Sequence, residues 1–128
     1  MSQRSALGRV LGYGSAKDGV GEWWTQRLTS VALIALGGWF VAALLALPAH
    51  DYATVAAWMR GTWTAPALLL LVLVSAWHSQ LGIRVIIEDY VPEDGMKALA
   101  IALASFVHIV LAAVGVVAVL RVALGSVP

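Results

Sequence analysis

The chain contains no cysteine. Disulfides, thiolate metal centres and cysteine nucleophiles are thereby excluded. Charge is also scarce. Only 12% of the residues are Asp, Glu, Lys or Arg, against roughly 25% in an average soluble domain. The formal net charge of +1 leaves no basic footprint for nucleic acid. The Gly-rich stretch Gly14–Gly21 (GSAKDGVG) lacks the G-x-x-x-x-G-K-[ST] spacing of a phosphate loop, and no strand pattern precedes it. It reads as a connector. Before the first long apolar run there is no signal-peptide h-region and no cleavage-like site. Ser15–Asp18 also lacks the Arg-rich character of a transit peptide, so a bacterial chain is expected. No internal repeat or low-complexity tract is present.

What the sequence does have is hydrophobicity: 61% of its 128 residues. A bilayer core of about 30 Å needs roughly 20 apolar residues of helix, and three segments meet that length. They are Leu28–Leu47, Ala65–Ile87 and Met96–Leu120. The expected fold is therefore an all-α membrane protein. It has a polar N-terminal segment over residues 1–27 and three transmembrane helices over residues 28–128. Pro48 follows the first span, Pro66 lies in the first turn of the second, and Pro92 stops the second after Tyr90. Gly95 is expected to open the turn into the third. Lys and Arg near span ends set the orientation. Arg4, Arg9, Lys17, Arg27, Arg84 and Lys97 fall on one side, and Arg60 and Arg121 on the other. That imbalance places the N-terminus in the cytoplasm and the C-terminus in the periplasm, as for a multi-pass protein of a bacterial inner membrane. Trp23, Trp24, Trp58 and Trp63 lie near span ends, as interfacial anchors do.

Polar groups inside a span are costly, about 2.5–3.5 kcal/mol for a charge on insertion scales, so they tend to face protein or cofactor. His78 lies close to the middle of the second span. On a 3.6-residue helix Gly82 is offset from it by about 40°, and Val85 and Asp89 by about 20° each. One stripe thus carries an imidazole, a glycine that permits close approach, and a carboxylate at the cytoplasmic edge. Tyr90 ends the helix about 18 Å from His78. Two readings compete for His78: an axial haem ligand, or a histidine that bonds a neighbouring helix. His108, in the third span, allows a bis-histidine site within one chain. The reading preferred for it is a helix–helix hydrogen bond on the small-residue face with Ser105, Ala112 and Gly115. His50 belongs to an external loop. Arg84 has Glu88 as an i, i+4 partner and can also snorkel to the headgroups. Arg27 opens the first span, with Ser30 one turn deeper. Its cation suits a lipid phosphate or a haem propionate.

Two blocks carry a resemblance to a known family. One runs from Gly14-Ser-Ala-Lys17 through Trp24-Thr-Gln-Arg27-Leu-Thr29. The other runs from His78-Ser-Gln-Leu-Gly82 through Glu88-Asp89-Tyr90. Together with the length and the three-span layout they resemble the hydrophobic membrane anchor subunit of bacterial succinate dehydrogenase, the D-type chain of respiratory complex II. The resemblance implies haem b, with His78 as the axial ligand to its iron and the second ligand on a partner anchor. It implies ubiquinone bound by Tyr90 with Asp89 beside it, and Arg27 near the haem propionates. The implied partners are a flavoprotein subunit, an iron–sulfur subunit and a second cytochrome b anchor packed against this one. Such a chain catalyses nothing alone. Relatives often carry a histidine just before the Trp-rich stretch, where Gly21 and Glu22 stand here, and this puts any propionate or proton-handling role at that spot in doubt. The alternatives are a self-contained bis-histidine cytochrome, a quinol:fumarate reductase anchor and a purely structural membrane anchor.

Overall fold

The computed structural model describes residues 19–125. Gly14–Lys17 and most of the expected cytoplasmic segment lie outside the described residues. The described chain is helical throughout, with no strand. Its elements are α1 (Gly19–Leu45), α2 (Tyr52–Met59), α3 (Thr64–Tyr90) and α4 (Asp94–Ala123). The long helices α1, α3 and α4 are each long and apolar enough to cross a membrane. At 1.5 Å per residue they run about 40–45 Å, beyond the roughly 30 Å hydrocarbon core. Their ends therefore continue through the headgroup layers, where polar residues cost little. That is why α1 begins before the apolar run, and why Arg27, expected to open the first span, sits well inside the helix. Gly95, expected to open a turn, lies in the first turn of α4 instead.

The termini follow local rules. Asp51 caps α2: its carboxylate accepts from the Thr54 N–H at 3.0 Å and the Thr54 hydroxyl at 2.8 Å. Glu93 caps α4 by accepting from the N–H groups of Gly95, at 2.9 Å, and of Met96. These backbone donors hold both carboxyls below their ordinary range. Pro66 fits near the start of α3 because a first-turn N–H has no intrahelical partner to lose. The helix stops at Tyr90, ahead of Pro92.

The long helices form a row, not a closed triangle. α1 packs on α3 and α3 on α4, while α1 and α4 share no interface. Within the described residues the only buried hydrophobic side chains are Ala56, Leu68 and Val119, one each from α2, α3 and α4. α2 also reaches α1, with Trp58 stacked on Trp39 at 6.0 Å between ring centroids. Most large apolar side chains face outward, among them Leu28, Ile34, Phe106 and Val114. A helix apolar on all sides belongs against lipid or another subunit.

Candidate functional site

α3 is the central helix and carries polar groups toward both neighbours. Its face toward α1 bears His78, Gly82, Arg84 and Val85. The opposing stripe on α1 is Glu22, Gln26 and Thr29, at i, i+4 and i+7, which share one helix face. The antiparallel register is regular: Thr29 meets His78, and Glu22 meets Arg84.

Thr29 is the only buried polar residue among those described, 7% exposed. Its hydroxyl donates to the Thr25 carbonyl at 2.7 Å, with the Gln26 carbonyl at 3.1 Å. His78 Nδ1 lies 2.9 Å from the same oxygen. A hydroxyl has one proton and two lone pairs. With the hydroxyl proton on the Thr25 carbonyl, the oxygen can accept from His78, an arrangement that puts the hydrogen on Nδ1. Nε2 then bears the lone pair. Its nearest polar neighbour is the Gln26 amide nitrogen, at 3.5 Å, the outer limit of a hydrogen bond. Gln26 Oε1 is buried and has no partner among the described residues. A Cβ built on Gly82 would stand 3.8 Å from the Gln26 amide, so the amide covers the glycine step one turn below the histidine.

Toward the helix end, Arg84 bridges two carboxylates. It meets Glu22 on α1 at 2.6 Å and Glu88, one turn on, at 2.8 Å. Glu22, Trp23, Gln26, Leu81, Arg84 and Val85 line a small cavity of about 220 Å³ between the two helices. Arg27 points elsewhere: it is exposed and lies over the Trp23 ring, 5.3 Å from its centroid. No hydrogen bond or ion pair joins it to the His78 group among the described residues. Asp89 is exposed, and Tyr90 is 81% exposed. Neither has a side-chain hydrogen-bond partner among the described residues, and none of those residues forms a pocket around them.

The other face of α3 meets α4 differently. His108 Nδ1 donates to the Ala104 carbonyl at 2.7 Å, and its Nε2 accepts from the Ser79 hydroxyl at 3.1 Å. Gln80 donates to Ser105 at 3.1 Å. Both His108 nitrogens are engaged, in the helix–helix bond that the small-residue face allowed. His78 and His108 thus serve opposite seams, with no bond between them. His50 bonds the Leu44 carbonyl at 3.0 Å. Among the described residues no three His, Asp or Glu side chains gather as a metal site.

Sequence reasoning singled out His78, Asp89, Tyr90 and Arg27. It passed over Gln26 and Thr29 and noted Glu22 only as a departure. The available signal was the i, i+4, i+7 spacing of these three residues at the start of an apolar helix.

A row of three helices long and apolar enough to cross a membrane, with its most buried polar contact at an imidazole, defines a multi-pass membrane protein. Residues 1–112 match the succinate dehydrogenase/fumarate reductase transmembrane subunit family, and the chain belongs to that family. It is 35% identical over 79 residues to a Rickettsia conorii protein named succinate dehydrogenase hydrophobic membrane anchor subunit. That match covers 61% of this chain and 63% of the relative, so it spans under two thirds of that relative's length. Proteins of the same name from Rickettsia bellii and Rickettsia felis are each 31% identical. The first match, over 88 residues, covers 69% of this chain and 70% of the relative; the second, over 101, covers 79% and 84%. No solved structure matches the chain.

Proposed function

We propose that this chain is the hydrophobic anchor of a succinate:ubiquinone oxidoreductase in a bacterial inner membrane, with its N-terminus in the cytoplasm. Its partners are a flavoprotein, an iron–sulfur protein and a second anchor that completes the haem b ligation. The observation that carries the reading is the state of His78. The ring is half-buried in a span, held through Nδ1, and has an Nε2 lone pair with no strong donor. A ligating histidine needs that arrangement, because its second ring N–H is normally anchored by a neighbouring acceptor. Gly82 one turn on and the unpartnered Gln26 oxygen fit a seam that is completed by something further. Haem b, when bound, supplies a one-electron redox centre in a low-dielectric span.

The roles of this chain's residues follow. His78 binds and orients through Nε2. Arg27, exposed and unpaired among the described residues, offers its cation to a propionate. Tyr90 and Asp89 stand at the helix end nearest the cytoplasm, exposed in the lone chain and available to a pocket that a docked subunit closes. Reduction of ubiquinone to ubiquinol takes two electrons and two protons. Charge builds on a quinone oxygen as electrons arrive, so a hydrogen bond donated by the Tyr90 phenol strengthens along the reaction.

Tyr90→Phe keeps the ring and removes that donor. Losing one hydrogen bond to developing charge costs about 1.5–3 kcal/mol, or roughly one to two orders of magnitude in rate. The assay compares succinate:ubiquinone activity with succinate:artificial-acceptor activity in the same membranes. The first falls and the second is spared. If both stay at wild-type level, Tyr90 is an interfacial anchor. Purification through a tag on this chain tests the assembly. Recovery without flavoprotein and iron–sulfur chains, and without a b-type difference spectrum, would overturn the anchor reading.

A further inference from the structure

Among the described residues the α1–α3 seam has one buried polar residue, Thr29, and its hydroxyl lies against His78. Three contacts bear on where the proton sits. The Thr25 carbonyl accepts the Thr29 hydroxyl proton at 2.7 Å. The Thr29 oxygen, left with lone pairs, takes the His78 Nδ1–H at 2.9 Å. The Gln26 amide nitrogen, a donor, approaches Nε2 at 3.5 Å. The hydroxyl and the amide therefore favour the same tautomer. The backbone of α1, through Thr25 and Thr29, thus sets which nitrogen of a side chain on α3 is free.

We propose that Thr29 is a positioning residue for the His78 ring, holding it as the Nδ1–H tautomer with the Nε2 lone pair presented for iron. The iron part rests on the reading of His78 as a haem ligand, and the tautomer part does not. An acceptor on Nδ1–H makes the imidazole a stronger electron donor, which favours ferric over ferrous iron. Thr29 therefore lowers the haem potential. It also spares the ring a rotation that would carry Nε2 out of place.

Two measurements test this. In the assembled complex, redox titration of the b-type signal reads the potential in wild type, Thr29→Val and Thr29→Ser. Valine keeps the branched shape without the acceptor, and serine keeps the acceptor. The expected result is an upward shift, or loss of haem, in Thr29→Val and a near-wild-type potential in Thr29→Ser. An unshifted potential in Thr29→Val overturns the proposal. So does loss of haem in Thr29→Ser with retention in Thr29→Val, since shape and not the hydrogen bond would then matter. In the full chain in detergent, nitrogen NMR at alkaline pH reads the neutral-ring tautomer without haem, with His78→Ala assigning the signal. Wild type and Thr29→Ser show Nδ1 protonated, and Thr29→Val moves population to the Nε2–H form. An Nε2–H ring in wild type overturns the proposal. Should His78→Ala keep its full b-type spectrum, the haem reading falls while the tautomer result stands by itself.

Discussion

α3 has two seams, and they are built on different physics. Toward α4 the contact is steric. A Cβ on Gly115 would lie 2.7 Å from Val72 Cγ1, so the helices approach as closely as a missing side chain permits. The polar groups there, His108 with Ser79 and Gln80 with Ser105, satisfy one another. Toward α1 the contact is polar and incomplete. It has an ion bridge at one end, a small cavity, a buried amide oxygen without a partner and an imidazole with one nitrogen nearly free. Small residues and satisfied hydrogen bonds hold transmembrane helices together. Unsatisfied buried polar groups do the opposite unless something later fills the site. The α3–α4 seam is therefore closed by its own residues, and on the proposed reading the α1–α3 seam is the one that takes the ligand.

The largest expected effect tests this contrast at the two histidines. On the proposed haem reading His78→Ala removes the ring nitrogen offered to iron, and the reduced-minus-oxidised b-type signal of the assembled complex is expected to disappear. His108→Ala deletes a ring whose nitrogens are both spent on helix contacts. It keeps the signal and costs about 1 kcal/mol of helix association. A normal spectrum in His78→Ala with loss in His108→Ala would reverse the roles of the seams and favour the one-chain cytochrome.

The two seams also differ in how much of each was legible in the sequence. The all-α, three-span architecture was plain, because apolar runs of bilayer length have few other uses. His78 stood out because an imidazole in such a run needs a reason. The Arg84–Glu88 pair followed from helical spacing alone. What could not be read was rotation: which face of α1 turns toward α3. That choice decides that Thr29 rather than Ser30 meets His78, and that Arg84 reaches Glu22 across the seam. The short helix α2 was missed because its eight residues carry too weak an apolar period, although Asp51 three residues before Thr54 is an N-cap signal. The surroundings of Tyr90 and Asp89 were not legible because no described residue of this chain packs around them.

The glycines give the next largest contrast. Gly115→Ala forces a methyl against Val72, a β-branched side chain with one favoured helical rotamer and little room to turn. Overpacking costs about 1–3 kcal/mol, against a gain of about 1 kcal/mol in helix propensity. The net outcome is a loss of up to about 2 kcal/mol. Gly82→Ala meets nothing nearer than 3.8 Å in this chain, so the propensity gain stands and the isolated chain is slightly more stable. Unfolding of the detergent-solubilised chain by mixed-micelle titration reads both. A Gly115→Ala chain more stable than wild type would mean that the α3–α4 seam is not tightly packed.

A smaller effect separates the seams by salt. Arg84 and Glu22 are 38% and 42% exposed, so their pair is worth only about 0.2–1 kcal/mol and weakens with ionic strength. Arg84 keeps Glu88 in Glu22→Gln, which reduces the loss further. The same micelle titration shows Glu22→Gln slightly less stable than wild type at low salt, and the gap closes at high salt. Gly115→Ala keeps its deficit at every salt concentration, because sterics are not screened. A salt-independent deficit in Glu22→Gln would mean that Glu22 acts by packing, not charge.

The smallest effect lies at the α3–α4 hairpin, where Glu93 caps α4 from full exposure. Its carboxylate accepts from the N–H groups of Met96 and Gly95, and these hold its pKa below the ordinary range. A lowered folded-state pKa means that the unfolded chain binds the proton more tightly. The contribution to stability is therefore complete above the unfolded-state value, and it is lost as pH falls through the folded-state value. The amide shifts of Gly95 and Met96 report this directly, because protonation of Glu93 weakens the bonds they donate. Both should titrate together, with a midpoint below that of an ordinary glutamate. In Glu93→Gln, which keeps an acceptor but no titrating group, the transition vanishes while α4 still starts at Asp94. The Thr29 amide, inside the other seam and far from any cap, should show no transition at that midpoint. A shared transition at Thr29 and Gly95 would mean that the two seams of α3 loosen as one unit, and the division between them would not hold.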